Sequence, residues 1–221
     1  MKRFVVSAAA LGFALWLISA LLNLPATPLD LRPLLAEAMP KSGVAHPVTA
    51  VLLNTRGYDT LLEIAVLLVA LIGVLVAVPS TKPALSEPPA AARDAMVPAL
   101  ARLIAPLAVF FAIYVLWAGA HRPGGAFQAA AILAAGLVLL HLGGLTAAWS
   151  SPALRLRVGL IAGFLIFLAI AALPLFGGML LQYPPAFAGT LILVIESGLT
   201  ISLALVLAGL FLLLAERGGK R

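Results

Sequence analysis

The residues able to do chemistry are few, and they cluster. The densest polar stretch runs from His46 to Ile64 and contains Arg56, Asp59 and Glu63. On a helix, spacings of three and four put these side chains on one face, so a guanidinium neighbours two carboxylates. Charge among apolar residues is costly at membrane depth, so such groups pair, line a wet cavity or relay protons. Two arrangements satisfy this. Either all three act together on a proton path, or Arg56 and Asp59 form an anchoring ion pair at the water interface and only Glu63 lies inside.

A second acid, Glu196, stands in Leu191-Ile192-Leu193-Val194-Ile195-Glu196-Ser197-Gly198-Leu199-Thr200 and has long apolar runs on both sides. It falls within a membrane span on any reasonable boundary. There it either hydrogen-bonds a neighbouring helix with the help of Ser197 or Thr200, or serves as a station for an ion.

The third feature is Ala120-His121-Arg122-Pro123-Gly124-Gly125-Ala126-Phe127-Gln128. Pro123, Gly124 and Gly125 permit a sharp turn with close backbone approach. The free amides of a helix beginning there would favour an anion or a carboxylate. Gln128, one turn further in, carries an amide that needs a partner.

Other chemistries find no support. The chain has no cysteine, which excludes disulfides, thiolate metal sites, iron–sulfur clusters and a Cys nucleophile. His46 and His141 read as solvated or capping residues. No His/Asp/Glu set has metal-ligand spacing, and neither a phosphate loop nor a GxSxG elbow is present. No cofactor is expected. The net charge of +6 is scattered between apolar stretches, without a basic run interleaved with aromatics, so nucleic acid is not an expected partner.

These residues are positioned by an unusually apolar chain: 63% hydrophobic and 10% charged in 221 residues. That exceeds what a soluble domain uses to fill one core, and the period-two alternation of barrel strands is absent. The expected fold is all-α, a polytopic integral membrane protein of about six transmembrane helices. The spans are expected at 4–22, 45–78 (long or broken), 99–118, 124–143, 155–173 and 189–214. Lys2 and Arg3 before an apolar run, with Ala26 after it, resemble a secretory leader, but the run exceeds the usual 7–15 residues and reads as a retained span.

With the N-terminus inside, Lys2, Arg3, Lys82, Arg93, Arg102, Arg155, Arg157, Arg217, Lys220 and Arg221 collect on the inner side, and Arg32, Lys41, Arg56 and Arg122 on the outer. Both termini are therefore expected in the cytoplasm, at a cell (inner) membrane, unless the segment around 45–60 adds a crossing. The segment from Pro79 to Pro98, with Pro83, Pro88 and Pro89, reads as exposed and gives a linker at 81–98 between a two-span region (1–80) and a four-span region (99–221). Gly159 and Gly163 allow close helix packing, and Trp16, Trp117, Trp149, Tyr114 and Tyr183 are expected to act as interface anchors.

At these motifs the chain resembles a known family. The stretch Arg56-Gly57-Tyr58-Asp59-Thr60-Leu61-Leu62-Glu63 is similar to the Arg-Gly-aromatic-Asp-Thr-x-x-Glu signature at the C-terminal end of the A-type component of Mrp-type multisubunit cation/proton antiporters. The same signature occurs in a small component of membrane-bound hydrogenases. Arg122-Pro123-Gly124-Gly125-Ala126-Phe127 resembles the Pro-Gly-Gly-Gly-Phe motif of the B-type component of those antiporters, with Ala126 in place of the third glycine. Ile195-Glu196-Ser197-Gly198-Leu199 stands where the B-type component has Phe-Asp-x-Gly-Val, which retains the acid in kind.

The resemblance implies an A-type tail joined to a B-type subunit, in an assembly related to the membrane arm of respiratory complex I. It implies a transporter subunit rather than an enzyme, with sodium and protons as the ions moved. Its partners would be the other membrane subunits, the lipid bilayer, protons and monovalent cations. Glu63, Glu196, Asp59, Arg56 and Gln128 would contribute to the ion path or coupling interface. A redox-driven complex would use the same kind of chain, and a structural spacer without an ion-path role is the reading of another class.

Overall fold

The computed structural model describes residues 2–24, 30–77, 95–146, 154–177, 180–181 and 183–218, and no strand occurs among them. In chain order the helices are α1 (Lys2–Leu22), α2 (Arg32–Ser42), the short α3 (Pro47–Thr49), α4 (Gly57–Ala77), α5 (Met96–Ala118), α6 (Ala126–Leu142), α7 (Leu154–Ala172) and α8 (Pro185–Gly218). A π-helical turn, Ala50–Thr55, continues α3, and a 3-10 turn, Leu173–Gly177, continues α7. Most of the expected linker, through residue 94, and Trp149 lie outside the described residues. α5 begins at Met96, inside that linker, because Pro98 falls in its first turn, where a missing amide costs no hydrogen bond.

Among the described residues, five helices are long and apolar enough to cross a membrane: Phe4–Leu22, Gly57–Ala77, Met96–Ala118, Leu154–Leu175 and Pro185–Leu214. α6, with 17 residues, is about 25 Å long and makes a shorter sixth. The chain is thus an all-α polytopic membrane protein. The expected element at 45–78 is broken. Its first part, α3 and the π-helical turn, is about 14 Å long, roughly half the hydrocarbon thickness, and cannot cross the membrane alone.

The chain divides into two compact units, Met1–Glu37 and Ala38–Arg221. In the first, the Phe13 and Trp16 rings of α1 stack on each other. Asp30 accepts hydrogen bonds from the guanidinium and the backbone of Arg32, which hold its carboxyl below the usual carboxylate range.

In the second unit α8 is the central helix, with 56% of its span buried against 11–22% for α4, α5 and α7. α6 and α7 pack along it, α4 packs on both α7 and α8, and α5 packs mainly on α6. The α7–α8 contact depends on small residues. A Cβ on Gly163 would lie 2.6 Å from the Gly198 carbonyl oxygen, and one on Gly159 would lie 2.7 Å from Leu205 Cδ1. Ser202 uses the same approach to donate its hydroxyl to the Leu160 carbonyl.

Two apolar clusters fill the interior. One joins Leu53, Ile64, Ala126, Phe167, Ile195 and Leu199; the other joins Leu71, Ala134, Leu160, Ala208 and Leu212. Trp16, Tyr114 and Trp117 are exposed, as interface anchors should be. Tyr183 departs from that expectation. It is 5% exposed, packs into the first cluster, and its hydroxyl finds no hydrogen-bond partner among the described residues. Burial pushes its phenol up to about 12.

Candidate functional site

The site is built at the α5–α6 turn. The Val115 carbonyl, in the last turn of α5, accepts hydrogen bonds from the amides of both Gly119 and Gly125, which closes the connection into a tight loop. A side chain would not fit inside it. A Cβ on Gly119 would lie 2.6 Å from the Gly125 nitrogen, and one on Gly124 would lie 2.5 Å from the Val115 oxygen. Gly125 has φ +112°, a conformation that favours glycine. Ala126, the departure from the three-glycine motif, is the first residue of α6 and buries its methyl in the apolar core, so its position does not require glycine.

Gly125 leaves room for Glu196. A Cβ at Gly125 would lie 2.7 Å from Glu196 Oε1 and 3.9 Å from Gln128 Oε1, so both oxygens converge on the opening of α6. The Ala126 backbone amide lies against the Glu196 carboxylate. Glu196 is 7% exposed and sits eleven residues into α8, about 16 Å along it. The positive end of the α6 dipole and an otherwise orphaned amide thus meet an acid inside the bundle. The carboxylate expected for those free amides is therefore Glu196 of the same chain.

Ser197 and Thr200 do not mediate this contact, contrary to the helix-bridging alternative. The Ser197 hydroxyl donates to the Leu193 carbonyl and that of Thr200 to the Glu196 carbonyl, both within α8, because hydroxyls readily bond back one turn along their own helix. Gln128 is exposed on α6, its amide oxygen near Gly125.

The other candidates lie on the break before α4. Arg56 ends the π-helical turn, its amide donating to the Val51 carbonyl, and the helix restarts at Gly57. Gly57 lies where the chain meets Leu181, whose Cδ2 would stand 3.2 Å from a Cβ there, a close but adjustable contact. Thr60 donates to the Leu52 carbonyl at 2.6 Å and stitches the two sides of the break. Arg56 and Asp59 form an exposed ion pair, as in the interface-anchor alternative.

Glu63, one turn further, is also exposed. The packed face of α4 is Gly57, Thr60, Ile64 and Leu71; Leu62, Val66 and Val69 point the opposite way, and Glu63, about a quarter-turn from the packed face, is exposed on the flank of the helix. The two candidate acids are therefore deployed differently: Glu196 is enclosed within α6 and α8, whereas Glu63 faces outward from its own chain. No group of three His, Asp or Glu residues that could hold a metal occurs among the described residues.

Two supports had no signal in the sequence. The buried Thr49 hydroxyl donates to the Gly119 carbonyl at 2.8 Å and ties α3 to the α5–α6 turn. Gly43, with φ +69°, lies so close to the start of α8 that a Cβ would sit 2.2 Å from the Pro185 oxygen. Both join residues far apart in sequence, beyond the reach of motif spacing.

Solved structures share this fold. A chain of the Mrp complex from Dietzia sp. DQ12-45-1b superposes with a TM-score of 0.68 at 24% identity, over 97% of this chain and 26% of that one. This chain thus spans about a quarter of that longer chain. A chain of the membrane-bound sulfane sulfur reductase, an archaeal respiratory membrane complex, gives a TM-score of 0.66 at 20% identity, over 96% of this chain and 97% of that one. No curated protein matches the sequence. A family described as a domain related to the MnhB subunit of Na+/H+ antiporter matches residues 96–215, which run from the start of α5 nearly to the end of α8 and include both the glycine turn and Glu196. With more than half of its length in that match, the chain belongs to the MnhB-related family.

Proposed function

We propose that this chain is a membrane subunit of a multisubunit cation/proton antiporter, with sodium as the cation, and that it contributes to the ion path or coupling interface. Residues 99–221 act as the B-type portion and residues 1–80 as an A-type tail, joined through the linker at 81–98. Both termini lie in the cytoplasm, and the complex resides in the cell (inner) membrane.

The observation that carries this reading is the deployment of two carboxylates within apolar helices. Glu63 is exposed on the flank of α4, within the apolar run that carries Leu62, Val66 and Val69. Lipid does not solvate such a group, so a polar surface of a neighbouring subunit meets it. Glu196 is held at the start of α6 inside the bundle, where a proton or cation arriving at the carboxylate would compete with the Ala126 amide. Gln128 lies close enough to share that exchange, and the Arg56–Asp59 pair fixes the break from which α4 starts.

A redox-driven complex is the second reading. It is favoured by one observation: the match to the sulfane sulfur reductase chain covers nearly all of both chains. Vesicles carrying the complete complex separate the two. Under the antiporter reading, adding sodium dissipates an imposed pH gradient without any electron donor, and the isolated complex contains no redox subunit. Sodium-independent proton movement that requires an electron donor would reject it.

A further inference from the structure

A shallow apolar groove of about 170 Å³ runs between α5, α6 and α8. Its floor is made by small residues. Gly136 of α6 brings its backbone so near α5 that a Cβ would lie 3.3 Å from the Ala108 Cβ, while Ala105 and Ala204 leave the sides open. Leu140 and Leu205 complete the walls. A cavity of about 150 Å³ lined by aliphatic side chains accommodates a benzene ring, so this groove holds a short run of hydrocarbon.

One end of the groove is marked by a cation. Arg102 precedes Ala105 by three residues and Val109 by seven, which puts it on the same stripe of α5, one turn nearer the helix start. The Leu140 end of the groove lies at that level, because Gly143 packs on Pro98 and Ala101 of α5, with a Cβ position 3.3 and 3.4 Å from them. Arg102 is exposed, and neither ion pair among the described residues engages it.

We infer that the groove and Arg102 form a phospholipid site, with one acyl chain lying in the groove and the guanidinium binding the phosphate. Lipid tails are as apolar as the groove, so the slot adds packing and little hydrophobic gain; selectivity comes from the charge-assisted, bidentate contact of arginine with phosphate. A partner helix, about 10 Å across, would enter so shallow a slot with single side chains and would need a separate acid for Arg102. A phospholipid supplies hydrocarbon and anion in one molecule.

The test is photolabelling of the assembled complex in phosphatidylethanolamine vesicles containing phosphatidylglycerol with a diazirine in one acyl chain, followed by peptide mapping. Label is expected on α5, α6 and α8 at the groove, above the level at the exposed Phe110 and Phe111 outside it. Arg102→Gln is expected to reduce it about fivefold, and Ala105→Leu, which fills the slot, to abolish it with assembly unchanged. Equal labelling of the groove and of Phe110 and Phe111, insensitive to Arg102→Gln, would reduce the site to ordinary annular lipid and overturn the proposal. An unlabelled groove in the intact complex would give the face to a partner subunit and overturn it equally.

Discussion

Glu196 Oε1 occupies the space that a side chain at Gly125 would fill, 2.7 Å from where that Cβ would stand. A carboxylate on one helix and a glycine at the start of another thus form a matched pair, and neither can change without regard to the other. The glycine supplies two things at once, a φ of +112° and the absence of an atom.

Gly125→Ala removes both. Strain at that φ and displacement of the carboxylate together are expected to cost about 2 kcal/mol or more. Ala126→Gly, which restores the third glycine of the related motif, should cost no more than about 1 kcal/mol, since the residue is already helical. Thermal unfolding of the purified variants distinguishes them; equal effects would show that the turn is not built as described.

The carboxylate also caps α6. Glu196→Ala is expected to cost about 0.5–2 kcal/mol through the orphaned Ala126 amide. Glu196→Gln keeps an oxygen for that amide and should retain most of the stability. If the two variants were equally stable, the Ala126 contact would carry no weight.

The α7–α8 seam gives a sharper contrast. Gly163→Ala pushes a methyl against the Gly198 carbonyl and the Ser202 Cβ and is expected to cost about 1–3 kcal/mol. Gly73→Ala, in α4 with open space around it, should be neutral or stabilising by about 0.5–1 kcal/mol. Unfolding midpoints measured in the same detergent provide the comparison, and a reversed order would contradict the packing.

Tyr183 buries a hydroxyl that has no partner among the described residues. Removing that oxygen removes a desolvation penalty, so Tyr183→Phe is expected to raise stability by about 1 kcal/mol. The native phenol should stay protonated until pH approaches about 12, which ultraviolet absorption of the native protein against the variant would detect. Ionisation near the ordinary tyrosine value would mean that the ring is solvated.

Much of this architecture is legible in the sequence because membrane helices write themselves as long apolar runs. All six expected spans coincide with helices or, at 45–78, with a helix broken at Arg56, where the polar residues themselves suggest a change. The glycine turn and Glu196 are each recognisable as candidates, but nothing in their spacing joins them, since about seventy residues separate the two. Glu63 is legible as a charge in a span; its outward direction emerges only from the packed face of α4. Tyr183 reads as an anchor in the sequence because an aromatic near a span end looks the same whether it faces the headgroups or the core.

Cation-dependent proton transport in vesicles carrying the complete complex, with Glu63→Gln and Glu196→Gln compared with the native chain at matched assembly, bears most directly on the proposed role. Loss of transport in both intact variants is expected, which would put one carboxylate of this chain on the coupling interface and the other on the ion path. Unchanged transport in both would contradict that role and leave the chain a scaffold whose acids only hold helices in place.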